Sequence, residues 1–225
     1  MSIEIQKRSM TLPVFIGLLI SLFSLTFFAI FFRDWFGISP MVVLVRELLI
    51  FSFVGILVWI IYRWEQLTLQ SISLHADSIK RSLFRSLLFF VLSALGIAAC
   101  LLIMQPLGWT VGGNDAHAYK DVPLWIFFVV VLRAGIAEEV FYRGYAIERI
   151  SAITGSKWVA AMVPLVIFSI GHFRQGPAGI LISFVVGGIL TLTYLWKKDL
   201  LANMIAHFLI DFIPNILLPA LGANE

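Results

Sequence analysis

The chain has 225 residues, of which 60% are hydrophobic and only 13% are charged, and its mean hydropathy is +0.98. A soluble domain normally carries about a quarter charged residues, so this composition excludes a soluble globular protein and predicts that most of the surface faces lipid. The net charge of +3 is small, and a membrane orientation accounts for it without a nucleic-acid partner.

Seven apolar runs are long enough to cross a bilayer as helices, because about 20 mostly apolar residues span roughly 30 Å of hydrocarbon. The runs lack the alternation of membrane β-strands, so the sequence predicts an all-α, polytopic transmembrane helical bundle. We expect one integral-membrane domain over residues 1–225. In chain order, the predicted spans are residues 11–32, 40–62, 86–104, 124–147, 158–175, 178–196 and 200–221.

Lysine and arginine are distributed unequally between the connecting segments, which predicts a cytoplasmic N-terminus. In that orientation the outer segments hold only Arg33, Lys120 and Arg174. The inner segments hold Lys7, Arg8, Arg63, Lys80, Arg81, Arg85, Arg143, Arg149, Lys157, Lys197 and Lys198.

The second predicted span is unusual because Arg46 and Glu47 lie inside it. An ionisable group at the centre of a transmembrane helix costs roughly 2.5–3.5 kcal/mol, so such groups usually pair or line a cavity. These two residues therefore indicate either the interfacial end of the helix or a pairing with other buried polar groups.

The fourth span ends in the sequence AEEVFYRGY, residues 137–145, which places three charges in an apolar helix. On an α-helix, Glu139 and Arg143 are four residues apart and share a face, so we expect an ion pair between them. Glu138 points about 100° away from that face. We therefore predict that Glu138 is uncommitted and is the reactive carboxylate.

Two further spans carry polar residues at helical spacing. In the fifth span, FSIGH places Phe168 and His172 on one face. In the last span, NMIAHFLID places Asn203, His207 and Asp211 at i, i+4 and i+8, which makes one polar stripe. Such a stripe is also found where interhelical hydrogen bonds join membrane helices.

Carboxylates and imidazoles are the groups that activate water, either as general bases or as metal ligands. The serines and the single cysteine have no comparable setting in the sequence, so a covalent nucleophile is not the first hypothesis. The residues favour a polar site for hydrolysis in a helical bundle.

These three segments resemble the motifs of the CPBP family, the CAAX-protease and bacteriocin-processing membrane proteases, also called the Abi family. That family is marked by EExxxR, FxxxH and HxxxN/D on successive helices, and this chain has EEVFYR, FSIGH and HFLID in that order. The resemblance covers about residues 120–215, the expected catalytic core. It implies an intramembrane endopeptidase whose cavity opens to the membrane and the cytoplasm, acting on a membrane-associated peptide or protein. We expect the bacterial inner membrane as its location, and the resemblance leaves open prenylated substrates, peptide maturation and self-immunity.

Carried over by position, the resemblance implies that Glu138 is the general base and that His172 helps to hold the water. His207 and Asp211 would stabilise the oxyanion, which needs donors aimed at the developing charge. An ionised Asp211 cannot donate a hydrogen bond. It is therefore expected to be protonated, to orient His207, or to bind a metal.

Supporting roles fall to the neighbours of these groups. The resemblance implies that the pair of Glu139 and Arg143 fixes the orientation of Glu138. Phe168 belongs to the second motif, and Asn203 extends the polar stripe by one turn.

The resemblance leaves the cofactor open. Zn²⁺ would be held by Glu138, His172, His207 and Asp211, with an open position for water. The chain lacks the HExxH motif, in which one helix supplies two histidine ligands. A metal-free site is therefore the first expectation, and Zn²⁺ is the alternative.

Two alternatives to a protease remain at the level of sequence. A non-catalytic immunity or scaffold protein would need the ion pair but not the additional Glu138. A proton-coupled transporter would use the same residues as a proton relay.

The depth of the predicted site residues is not uniform. At 1.5 Å per residue, Glu138 and His207 lie roughly 9–10 Å from the inner face of the membrane, whereas His172 lies roughly 21 Å from it. We therefore predict that residues 157–162 lie at the inner interface or that the fifth span is tilted.

Overall fold

The computed structural model describes residues 11–75, 78–110 and 122–221, and within these ranges the regular structure is entirely helical. The predicted fold class, an all-α membrane bundle, is confirmed. Residues 1–10 and 111–121, with Lys7, Arg8 and Lys120, lie outside the described residues, and the orientation stays a prediction. The helices are α1 (Leu12–Phe36), α2 (Pro40–Trp59), α3 (Ile79–Met104), α4 (Leu124–Arg133), α5 (Glu148–Thr154), α6 (Lys157–Gly171), α7 (Gly176–Lys197), α8 (Leu200–Phe212) and α9 (Leu218–Ala220).

Between α4 and α5, a π-helical segment, Ala134–Ile147, continues the helix without a break. We call residues 124–154 the fourth helix. It ends at Gly155, whose φ of +70° lies in the left-handed region that favours glycine.

The fourth helix lies at the centre of the bundle, where α1, α2, α6 and α8 pack against it. Every residue of its π-helical segment except Ile136 is buried. The charged residues of this segment therefore face other helices and a cavity, and the neighbouring helices keep them away from lipid.

Among the residues that the structure describes, five helices are long and apolar enough to cross a membrane by length and composition. The fourth helix is not among them, since Arg133, Glu138, Glu139 and Arg143 interrupt its apolar run. Helix α6 is apolar but has only 15 residues. The predicted count of seven spans therefore stays a prediction, although a helix forms at each of the seven positions. The five are Leu12–Phe36, Pro40–Trp64, Ile79–Leu107, Phe173–Lys197 and Leu200–Ala220.

The length of the fourth helix removes the mismatch in depth. It continues seven residues beyond the predicted end at residue 147, so the turn into α6 lies further from Glu138 than the predicted spans assumed. Sixteen residues separate Glu138 from Thr154 and fifteen separate Lys157 from His172, so the two stretches of helix are of similar length, and both residues line the same cavity. Glu138 and His172 consequently come to the same level.

A set of side-chain hydrogen bonds, which includes the buried ion pair of Glu65 and Arg149, joins the helices at the predicted inner end of the bundle. Glu65 accepts hydrogen bonds from the hydroxyl of Tyr145 (2.5 Å) and from Nε of Arg149 (2.9 Å). Glu148 accepts from the hydroxyl of Tyr194 at 2.6 Å. We call these five residues the closing network.

Candidate active site

A cavity of about 500 Å³ lies between α1, α2, the fourth helix, α6, α7 and α8. All four predicted catalytic residues line it: Glu138 from the fourth helix, His172 from the end of α6, and His207 and Asp211 from α8. The structure therefore brings the three sequence motifs to one place, while the roles of the residues stay predictions.

The lining of the cavity extends toward one end of the bundle. It includes Arg33 near the end of α1, and Arg174 and Gln175 in the turn between α6 and α7. With a cytoplasmic N-terminus this part of the lining lies on the outer side, whereas the resemblance implies a cytoplasmic opening. The predicted cytoplasmic N-terminus and the implied cytoplasmic opening therefore cannot both hold at this end of the cavity.

The prediction that Glu138 is uncommitted is wrong. Its Oε1 accepts a hydrogen bond from an Nη of Arg133 at 2.6 Å. The reason is local: a π-helix repeats its hydrogen bonds at five residues, so Arg133 lies about one turn before Glu138. The other oxygen, Oε2, lies 3.8 Å from Nε2 of His207. One oxygen of Glu138 is thus held by Arg133, and the other faces the histidine.

Glu139 is fully buried and binds three side chains. Arg143 donates to its Oε1 at 2.9 Å, which confirms the predicted ion pair. Nδ1 of His207 lies 2.7 Å from the same oxygen, and the amide of Asn203 donates to Oε2 at 3.2 Å. The structure therefore places Glu139 against His207, while Arg133 is the residue that holds Glu138. The expected role of the Glu139–Arg143 pair is corrected accordingly.

Arg143 links the first two motifs and α7 behind the cavity. An Nη donates to the carbonyl oxygen of Gly187 at 3.1 Å, and the guanidinium lies 4.6 Å from the centre of the Phe168 ring. The ring of Phe168 in turn contacts that of His172, with centroids 4.7 Å apart. Gly187 permits this arrangement, because a Cβ there would lie 3.0 Å from Arg143 and 2.9 Å from Phe168.

The hydrogen-bond partners fix which nitrogen of each histidine is available. Nδ1 of His172 lies 2.8 Å from the carbonyl oxygen of Phe168, and Nδ1 of His207 faces Glu139. A carbonyl or an ionised carboxylate can only accept, so in both rings Nδ1 carries the hydrogen. Nε2 is then the nitrogen that meets water or substrate, and it donates only when the ring is an imidazolium.

Asp211 lies on the more open side of this cluster, with 33% of its side chain exposed. Its Oδ2 is 3.5 Å from Nε2 of His207. Because Glu139 already holds Nδ1 of His207, the orienting role that was one alternative for Asp211 is filled by Glu139. Asp211 instead faces the reactive side of the imidazole.

The fit to a metal ion is partial. Both imidazoles have Nδ1 on an oxygen acceptor, as metal-ligating histidines usually do. However, across residues 11–75, 78–110 and 122–221 no three His, Cys, Asp or Glu side chains come close enough to hold one ion. The side chains as placed do not fit Zn²⁺, and the mechanism proposed below runs through protein groups alone.

Sequence motifs missed three residues next to this site. Arg133 bridges Glu138 and Glu47, with its Nε 2.5 Å from Oε2 of Glu47. Arg46 donates from Nε to the other oxygen of Glu47 at 2.7 Å. The only sequence signal for them was their charge within apolar runs, which fits the pairing alternative for Arg46 and Glu47. The sequence supported equally the other alternative, in which Arg46 and Glu47 mark the interfacial end of their helix.

Residues 120–213 match the family described as type II CAAX prenyl endopeptidase Rce1-like. The chain is also similar to the membrane-embedded CAAX protease MroQ of Staphylococcus aureus (strain USA300), at 31% identity over 96 residues. That alignment covers 40% of this chain and 37% of the relative, so the chain spans well under half of the curated relative it matches. No solved structure matches the chain. The residues matched to the family contain all three motifs.

Proposed function

We propose that this chain, whose residues 120–213 belong to the CPBP family of membrane proteases, is an intramembrane endopeptidase that activates water with Glu138. The observation that carries this proposal is the arrangement of Glu138 in the cavity. Arg133 holds one of its oxygens, and the other faces His207, in a cavity that His172 and Asp211 also line.

In the proposed reaction, water lies between Glu138 and Nε2 of His172. Oε2 of Glu138 takes a proton from the water as its oxygen attacks the carbonyl carbon of the scissile peptide bond. The carbonyl oxygen becomes an oxyanion, and the carbon becomes tetrahedral. When the intermediate collapses, Glu138 returns the proton to the departing amine nitrogen, so that each cycle restores the carboxylate.

In the proposed reaction, the oxyanion lies against His207. Because Nδ1 of His207 donates to Glu139, only an imidazolium can also donate from Nε2. Glu139 stabilises that positive charge at 2.7 Å, and Asp211 adds a second donor in its protonated form. Donors that are fixed before the reaction are worth most in a site from which water is excluded.

The substrate we propose is a membrane-associated peptide or protein. A volume of about 500 Å³ lies within the roughly 300–1,000 Å³ range of small-molecule sites, so the cavity admits a few residues of an extended chain. We also propose that the enzyme lies in a bacterial inner membrane, in line with its bacterial relative.

The test is a comparison of membrane peptides in cells that carry the wild type or Glu138→Ala. We expect substrates to accumulate and their products to disappear in the variant, because the base is removed while the buried Glu139–Arg143 pair is retained. The matched control is Glu65→Gln, which removes a buried carboxylate charge from the closing network. If Glu138→Ala left both the peptide pool and the biological activity unchanged, a non-catalytic immunity or scaffold protein would be the correct function, because a proton relay would also need Glu138.

A further inference from the structure

The proposed base is connected to α2, a helix outside the region that resembles the protease family. Arg133 donates from Nη to Oε1 of Glu138 at 2.6 Å and from Nε to Oε2 of Glu47 at 2.5 Å. Arg46 takes the remaining oxygen of Glu47 at 2.7 Å. The four side chains form a chain of alternating charge, which we call the cavity network.

Glu47 itself is fully buried. Burial of an unpaired carboxylate is strongly unfavourable, and both oxygens of Glu47 are paired with arginines. The backbone of α2 is fixed nearby, because Val43 packs with Val122 and Ile126 in one apolar cluster. Glu47 is therefore an acceptor with both oxygens bound, on a helix that is packed one turn away.

The geometry makes Glu47 an anchor for Arg133. A guanidinium presents donors in a fork that binds both oxygens of one carboxylate when it is free to do so. Here the fork is divided, since Nε is held by Glu47 and one Nη by Glu138. This division leaves Oε2 of Glu138 free to face His207.

We propose that Glu47 is a positioning residue for Glu138 that acts through Arg133. Glu47 holds the guanidinium so that it binds only one oxygen of Glu138, and this leaves the second oxygen for the water. The inference rests on the proposed function, because it assigns a purpose to the free oxygen of the base.

The decisive variant is Glu47→Gln, which keeps the shape of the side chain and removes its charge. Without the anchor, Arg133 is expected to turn its fork onto both oxygens of Glu138 and to block the base. A misplacement on this scale lowers the rate on the order of 10²-fold. Glu47→Asp, which keeps the charge, is expected to recover most of the rate.

The matched control is Glu65→Gln, a residue that does not line the cavity. Glu65 is also a buried carboxylate paired with an arginine, at 2.6 Å from Arg149, and its side chain is 2% exposed. A general loss of stability would appear in both glutamine variants, whereas the loss of positioning would appear only in Glu47→Gln.

The measurement is kcat and KM of the purified full chain in detergent. The probe is a synthetic copy of the peptide that accumulates most in cells carrying Glu138→Ala. We expect kcat of Glu47→Gln to fall on the order of 10²-fold, with KM within about twofold because substrate contacts are untouched. Glu65→Gln is expected to keep both constants.

Several outcomes would overturn the inference. Equal kcat values for Glu47→Gln and the wild type, with Glu138→Ala inactive, would show that Glu138 works without the anchor. A loss of kcat that Glu47→Asp does not restore, or that Glu65→Gln shares, would reduce Glu47 to a structural residue. If no peptide accumulated with Glu138→Ala, the proposed function would fail and this inference with it.

If Glu47→Gln does not yield folded protein, Arg133→Lys replaces it in the same assay. Lysine keeps the positive charge but has a single ammonium group in place of the fork. We expect the same selective fall in kcat, and an unchanged kcat in Arg133→Lys would contradict the inference.

Discussion

Two networks of polar side chains lie at different positions along the fourth helix, and they differ in how the oxygens of their carboxylates are bound. In the closing network, Tyr145 and Arg149 take one oxygen each of Glu65. In the cavity network, Arg133 takes one oxygen of Glu138, and the other lies 3.8 Å from His207.

The comparison shows what distinguishes a reactive carboxylate from a structural one in this bundle. Burial and an arginine partner are common to Glu65 and Glu138, so neither property identifies the base. The difference is an oxygen that faces a cavity lined by histidines. The closing network is expected to determine stability, and the cavity network to determine the rate.

Glu139→Gln is expected to have the largest combined effect on stability and cleavage rate, because Glu139 binds both the buried Arg143 and the proposed catalytic residue His207. The change would leave the buried charge of Arg143 without its carboxylate, and breaking a buried pair costs about 3–5 kcal/mol. The acceptor of His207 would be weakened as well. The unfolding temperature in detergent and the cleavage rate should both fall. A fall in only one of these two quantities would show that Glu139 serves either stability or catalysis alone.

Gly187→Ala is expected to have the next largest effect, a loss of stability. Its Cβ would press on Arg143 and Phe168 at 3.0 Å and 2.9 Å, and overpacking of this kind costs about 1–3 kcal/mol. The neighbouring Gly188→Ala is the control, because a Cβ there would meet only Leu165, at 3.8 Å. A lower unfolding temperature for Gly187→Ala alone would support the packing of Arg143. Equal unfolding temperatures for the two variants would contradict it.

Asp211→Asn tests whether Asp211 donates a hydrogen bond to the oxyanion, and it is expected to have a smaller effect on the cleavage rate. If Asp211 acts as a neutral donor, asparagine replaces it and the rate falls less than about tenfold, since one neutral hydrogen bond contributes about 0.5–1.5 kcal/mol. Asp211→Ala is the comparison, because it has no donor. A loss as large for Asn as for Ala would show that the carboxyl group itself is required.

Chelation is expected to have no effect. The proposed mechanism uses protein groups alone, so the cleavage rate after treatment with EDTA or 1,10-phenanthroline should equal the untreated rate. Metal analysis of the purified chain should find less than one zinc per molecule. A loss of activity that Zn²⁺ restores would require the alternative site of Glu138, His172, His207 and Asp211.

The membrane fold was predictable because hydropathy and length decide it. The three motifs also identified the residues that line the cavity, since i, i+4 spacing on α8 holds in the structure. The partner of Glu138 was missed because the fourth helix is π-helical from Ala134 to Ile147. In that geometry Arg133 lies about one turn before Glu138, a relation that α-helical spacing does not predict.

Glu47 shows a second limit of sequence reasoning. Its pairing with Arg133 joins residues 86 positions apart, and helical periodicity carries no information about contacts between distant helices. The charge of Glu47 inside an apolar run indicated that a partner exists. Only the packing of α2 on α4 identifies that partner.

The most direct test of the central claim compares Glu138→Gln with Glu65→Gln in one cleavage assay with purified protein. Loss of a general base lowers the rate about 10²–10⁴-fold, so Glu138→Gln should be folded and nearly inactive, while Glu65→Gln should be less stable but active. Undiminished cleavage by Glu138→Gln would contradict the assignment of Glu138 as the base.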